Sequence, residues 1–365
     1  MRQYNRNVLT ILLFEGFLGT GTMEWISQWT NDFHSNLWLV FAIYVSLLLG
    51  LGYLLSYLAQ RIPETFDGCT MFDYWFGAKM GGLFNVLLMG ALIVYAGKAM
   101  LLGVWIIHYS TLPYTPTLAI VVFGLLVPIQ LAASGSGALL RFQIVAFWPC
   151  IAIAAVLLLL SFRTADLSNL LPVVPNIHVS VTHSFPRLLE LLPGLFLLVV
   201  FLPLFRTQGL AQKDVVHSFI WASIAIVAWH VLNLLVVLSV FGSYETASLQ
   251  WPVLEVIRIQ KIPNIFLERL DLIFLIPMLT AVVSCVNLYM YSAHHIWSHY
   301  LSSRRRQGIL FLSLAIIFLS QISSYVNNAM RVYDTMMGVF ELLTFCLIPA
   351  MFFVAHHNAR EASIK

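Results

Sequence analysis

The chain has 365 residues, of which 60% are hydrophobic and only 10% charged, and its formal net charge is +3. Soluble domains carry about 25% charged residues, so this composition excludes a soluble globular domain, and the near-neutral balance gives no support to a nucleic-acid partner. What remains is an all-α integral membrane protein whose outer surface is apolar because it faces lipid.

A membrane-crossing helix needs about 20 mostly apolar residues, and ten such segments follow one another. The start, Met1–Asn7, is short and basic, and Glu15 and Glu24 interrupt the apolar run after it. With no small-residue cleavage site in sight, this run reads as a retained first span, Val8–Trp29, and not as a signal peptide. The next spans are expected at Leu37–Gln60, Leu83–Tyr109, Thr117–Ala133 and Gln143–Ser161. The last five are expected at Leu188–Phe205, Ser218–Phe241, Leu270–Ser292, Ile309–Tyr325 and Met336–His356. Pro, Gly and charge break the chain between them at Arg61–Glu64, Pro113–Pro116, Ser134–Gly137 and Pro172–Pro175. Thr65–Gly82 mixes Phe66, Met71, Phe72 and Trp75 with Asp67, Asp73 and Lys79 and suits a helix lying in the interface. Ser243–Arg269 holds Trp251-Pro252 and an amphipathic stretch and is expected to form a short helix on the outer surface. Lys and Arg in the short loops favour both termini in the cytoplasm by about two to one, with Arg304-Arg305-Arg306 the strongest marker.

Two spans carry helix breakers. The first contains Glu15-Gly16-Phe17-Leu18-Gly19-Thr20-Gly21, and the sixth contains Leu192-Pro193-Gly194 and then Leu202-Pro203. Glycine weakens a helix by about 1 kcal/mol relative to Ala, and proline removes a donor from the ladder. Each break opens one half of the chain. That is the pattern of a five-plus-five inverted repeat with a binding site between the breaks. The chain is therefore read as one polytopic domain, 1–365, with a first repeat of about 8–163 and a second of about 187–356. The glycines also suit a second role, close packing of helices.

Charges inside a membrane are costly and usually functional. Lys98 lies three to four turns from either end of the third span, beside Tyr95, and Glu15 lies one turn before Gly19. Either the two form an ion pair, or Lys98 faces a ligand. Glu24 lies just past the break, and Glu341, early in the last span, is expected at the interface. His295 and His299 are one turn apart, a spacing that suits a metal, but beside three arginines they read as favourable charges at a helix end. Cys69, Cys150, Cys285 and Cys346 form no paired or metal-binding pattern and read as small apolar side chains. Asn287, Tyr289 and Tyr291 read as polar glue between helices. No catalytic signature appears, so neither catalysis nor a cofactor is expected.

Three stretches resemble one family: Phe17-Leu18-Gly19-Thr20-Gly21, Val200-Phe201-Leu202-Pro203, and the run from Trp251-Pro252 to Phe266-Leu267-Glu268-Arg269-Leu270-Asp271. They are similar to the B subunits of spore germinant receptors, the GerAB-type spore germination permeases of the amino acid–polyamine–cation superfamily. The resemblance implies a ten-helix fold of the APC/LeuT type with broken helices 1 and 6. It implies a subunit that senses a nutrient such as an amino acid at the spore inner membrane, with an A subunit and a lipoprotein C subunit as partners. Carried over by position, the backbone of Gly19, Thr20 and Gly21 would hold the ligand's charged groups, and Lys98 lines up with a basic position of the family's third helix. Glu15, Tyr95, Pro193, Gly194 and Leu195, at or facing the two breaks, complete the expected binding set. The chain departs from the family pattern in two places. Leu195-Phe196-Leu197 stand where the family has a glycine and an acid, and Glu15 stands where a small polar residue is usual. Two rival readings stay open beside the receptor: a secondary transporter of an amino acid or amine coupled to H⁺ or Na⁺, and an assembly subunit with no ligand of its own.

Overall fold

The computed structural model describes residues 4–18, 25–33, 36–170, 192, 194–260, 269–321 and 329–364. Twelve α-helices lie in these residues, with no strand among them. In chain order they are α1 (Arg6–Leu18), α2 (Trp25–Phe33), α3 (Leu37–Gln60), α4 (Met71–Ser110), α5 (Thr117–Ser134) and α6 (Ser136–Ser161). The second half holds α7 (Gly194–Thr207), α8 (Gln212–Ser248), α9 (Pro252–Arg258), α10 (Leu270–Tyr300), α11 (Arg305–Gln321) and α12 (Ala329–Ile364).

Seven of these helices are long and apolar enough to cross a bilayer: α3, α4, α5, α6, α8, α10 and the part of α12 from Thr335 to His357. The exceptions are informative. At 1.5 Å per residue, the 14 residues of α7 reach only about 21 Å, short of a hydrocarbon core of about 30 Å. Likewise α1 has 13 residues and α2 nine, so neither crosses alone. α1, α2 and α7 lie in the first and sixth spans, the two that the glycines and prolines mark as broken, while α9 and the 17-residue α11 are the other described helices outside the seven.

Lipid exposure explains the outer surface. Phe123 on α5, Val145 and Trp148 on α6, Trp221 on α8, Phe318 on α11 and Phe353 on α12 are each more than half exposed. Such a belt of large apolar side chains is unstable in water and comfortable in acyl chains. The interior is built on α4. Val94 to Leu102 along it are all buried, so the helix is covered on every side. α10 runs along α4, α5 and α6, while α1 packs on α8, α7 and α6.

Glycine places two sharp turns, one near the start of α4 and one near the end of α8. Gly77 (φ 75°) separates the turn Met71–Phe76 from the rest of α4, and Gly242 (φ 69°) separates the last residues of α8 from its span. Both φ values lie where a Cβ is unfavourable. The first short helix opens with a capping box. The Thr70 hydroxyl accepts the Phe72 amide, and Asp73 Oδ2 accepts the Cys69 and Thr70 amides. Within Thr65–Gly82, which the sequence suggests lies in the interface, Met71–Phe76 forms a short helix of its own before the turn. Met71, Phe72 and Trp75 are buried, because the turn at Gly77 folds them against the bundle. On the other face α9 is similarly tucked in, with Pro252 to Leu254, Val256 and Ile257 buried.

Arg206, counted among the loop cations from sequence, is buried at the end of α7. Its guanidinium donates to the carbonyls of Ile62 (3.2 Å) and Leu210, and Glu64 approaches to 3.9 Å. It fastens the end of the sixth span to the connection after α3. Glu64 is largely exposed, so the buried carbonyls, more than the screened ion pair, fix this arginine.

Candidate functional site

The residues brought together at the centre come from α1, α4, α7, α10 and α12. Tyr95 on α4 is fully buried, and its hydroxyl donates to Glu341 Oε1 at 2.6 Å. Glu341 is therefore not interfacial, as the sequence suggested. It is 4% exposed, because α12 packs against α4 and turns the carboxylate inward. The Tyr95 ring lies 5.2 Å from Phe196 on α7 and 5.6 Å from Tyr289 on α10. Lys98, one helical turn beyond Tyr95, is 4% exposed. At (i, i+3) the two side chains share a face of α4. Gly97 between them lets α4 approach its neighbours. A Cβ there would sit 2.9 Å from Leu319 and 3.2 Å from the Tyr333 hydroxyl.

Glu15 is also buried, but the ion pair to Lys98 does not form. Oε2 of Glu15 has no hydrogen-bond partner among the described residues. The reason is the face of α1 it occupies. Glu15 lines a cavity of about 70 Å³ between α1, α6, α8 and α10, with Phe147, Cys150, Asn233 and Ser284 around it. The Cys285 thiol reaches the Glu15 carbonyl at 3.5 Å, tying α10 to α1 at this level. A cavity this size holds a few water molecules. It is far below the roughly 300–1,000 Å³ of a small-molecule pocket.

Where α1 meets α7, the packing is tight. A Cβ on Gly194 would fall 2.2 Å from the Phe17 ring, and one on Gly16 would fall 2.6 Å from Leu197 Cδ1. Gly194 and Leu195 thus stand at the α1 contact, both buried. Gly19, Thr20, Gly21, Glu24 and Pro193, and residues 261–268 within the third family-like stretch, lie outside the described residues.

Sequence reading missed a second polar group. His230 on α8 is fully buried, with its ring 5.3 Å from Trp25 on α2 and 5.9 Å from Tyr44 on α3. Neither ring nitrogen of His230, nor the Tyr44 hydroxyl, nor the Trp25 indole has a partner among the described residues. A histidine in the apolar run Ile226–Leu232 was the available signal, since an ionisable residue within a span is a site candidate by default. Both side-chain polar atoms of Asn287 and the Tyr289 hydroxyl are likewise buried without partners among the described residues, which polar glue would not leave.

With this geometry in view, comparison with known proteins is decisive for the family. The model of the family described as "Spore germination protein" matches residues 5–329. The chain belongs to the spore germination protein family. Among curated relatives of this germination permease, spore germination protein B2 of Bacillus subtilis (strain 168) is 24% identical over 236 residues. That match covers 64% of this chain and 63% of the relative's length. Among solved structures, MhsT in complex with L-phenylalanine superposes with a TM-score of 0.61 at 14% identity, covering 93% of this chain and 87% of that one. At that identity the likeness carries the fold alone. The permease thus has the APC/LeuT-like fold, and it is an integral membrane protein of permease type.

Proposed function

We propose that this permease is the membrane subunit of a spore germinant receptor and binds a small nutrient, an amino acid first among the candidates, between the broken first and sixth spans. The observation that carries this reading is the group of buried polar side chains Glu15, on the shortened α1, and Tyr95, Lys98 and Glu341, with Tyr95 packed on Phe196 of the shortened α7, in a bundle whose outside is lipid-facing. Charged groups at that depth cost several kcal/mol unless they serve a purpose. Backbone groups of Gly19, Thr20, Gly21 and Pro193 at the two breaks would hold the ligand's ammonium and carboxylate. Gly194 and Leu195 would frame its side chain, and Tyr95 and Lys98 would close the site from α4. The protein does no chemistry on the ligand. Binding favours one arrangement of the bundle over another, and an A subunit and a lipoprotein C subunit read that preference at the spore inner membrane, with both termini of this chain cytoplasmic. The two halves, about 8–163 and 187–356, are the bodies that rearrange.

Glu15 favours a second reading. A carboxylate oxygen without a partner, at a cavity with room for water, suits a proton or cation coupled to transport. Purified protein separates the two readings. Binding of a labelled amino acid in detergent, with no accumulation in proteoliposomes under a proton or sodium gradient, supports the receptor. Gradient-driven accumulation supports the transporter. Absence of binding across all amino acids, amines and sugars tested would remove the ligand site from this chain.

A further inference from the structure

At the end of the bundle that holds the N-terminus of α1, the segment before α4 meets the end of α10. Cys69 Sγ, an Asp73 carboxylate oxygen and a His299 ring nitrogen all lie within 4.8 Å of one another. From this geometry we infer a transition-metal site of the zinc class, with Cys69, Asp73 and His299 as protein ligands and water in the fourth position.

The donor set is specific. One sulfur, one imidazole and one carboxylate form a borderline-soft group that suits Zn²⁺ and not Mg²⁺ or Ca²⁺, which take oxygens. Zinc bonds of about 2.0–2.3 Å place tetrahedral ligands roughly 3.3–3.6 Å apart. Cys69 Sγ and Asp73 Oδ2 are already at 3.2 Å. The remaining closure falls to His299, whose side chain is exposed at the last turn of α10 and lies edge-on to the Tyr300 ring.

The surrounding shell is also of the kind that holds ligands. Asp73 Oδ1 accepts from Asn85 Nδ2 at 2.7 Å and from the Tyr300 hydroxyl at 2.9 Å, so Oδ2 is the oxygen turned to Cys69. Asn85 is itself fixed by the Thr70 hydroxyl at 2.5 Å and is fully buried. Cys69 is 2% exposed, yet its thiol points to a carboxylate and not into an apolar pocket. An apolar role would not arrange five polar side chains in this way. His295, the histidine paired with His299 in the sequence, instead stacks on Tyr291.

On binding, the Cys69 S–H bond is replaced by a sulfur–metal bond, and the proton leaves to solvent. The bound ion joins the connection of the first half to the end of α10, the helix that also carries Cys285 and Tyr289. It would therefore resist any separation of the two.

The test uses the full chain in detergent, stripped with a chelator and titrated with Zn²⁺ and separately with Co²⁺. Wild type should bind one equivalent of zinc, and its cobalt form should show a near-ultraviolet thiolate-to-metal absorption band. Cys69→Ser should lose that band, and His299→Ala should weaken zinc binding by roughly 10- to 100-fold or more. Cys346→Ser, at an exposed cysteine elsewhere, should change neither. Wild type without the band, a band that survives Cys69→Ser, or unchanged affinity in His299→Ala would each overturn the site. His299 is exposed, where substitutions usually cost little stability, so that variant decides even if Cys69→Ser does not fold.

Discussion

Tyr95 and Glu341 meet where no water competes for the hydrogen bond. Removing the hydroxyl with Tyr95→Phe strands part of a buried carboxylate and should cost about 1–3 kcal/mol, read as a lower unfolding temperature in detergent. Glu341→Gln keeps an acceptor for that hydroxyl and should cost less. A larger loss in Glu341→Gln than in Tyr95→Phe would place the essential partner of Glu341 elsewhere. Glu15 lines the cavity between α1, α6, α8 and α10, whereas Lys98, on α4, is not part of its lining. The stability effects of Lys98→Ala and Glu15→Gln should therefore add to within about 0.5 kcal/mol. A coupling well above that would show that the two charges share an interaction. These residues also mark how far the sequence could be read. Depth along the chain correctly made Lys98 and Glu15 buried, because a charge three turns into an apolar run cannot reach water. Which face each occupies depends on how the helices rotate about their axes, and nothing in a strongly apolar helix encodes that rotation. For the same reason Glu341 read as interfacial, and Cys69 and Asp73 read as unrelated to His299, far away in the chain.

At the scale of helices, the punctuation was legible. Gly-rich and Pro-rich stretches in the first and sixth apolar runs correspond to α1, α2 and α7, which are too short to cross alone. Spans two, four, five and seven were also placed by hydropathy, since lipid imposes the length of an apolar run directly. The segments that merge with a span across a positive-φ glycine were less legible. Thr65–Gly82 read as a surface helix because its aromatic and charged residues suit an interface equally well. Only the turn at Gly77 tucks Trp75 into the core. The contact between α1 and α7 yields a graded prediction. Gly194→Ala drives a methyl into the Phe17 ring, which has little room to move, and should cost about 1–3 kcal/mol. Gly16→Ala meets only the tip of Leu197, a rotatable branch, and should cost less. Thermal unfolding of the two purified variants checks the order. The reverse order would mean that α7 shifts more easily than α1.

For the molecule as a whole, a low charge content, ten apolar runs and paired breaks pointed to a polytopic membrane bundle, and the resemblance of three short stretches pointed to the family. The family model over residues 5–329 and the superposition on MhsT agree with that reading. The ligand was not legible in the same way. Its proposed contacts are backbone groups, and backbone chemistry is the same in every sequence. The account rests on the claim that this bundle is a nutrient sensor, and a signal requires that ligand binding bias two bundle states unequally. The measurement that tests it is germination of spores with and without this gene across a panel of amino acids and sugars, extended to spores carrying a bulky substitution at Gly21. The account predicts that deletion abolishes the response to one nutrient class and spares the others, and that the Gly21 variant shifts the dose needed for that same class. If every nutrient response survives deletion unchanged, the sensor claim is contradicted.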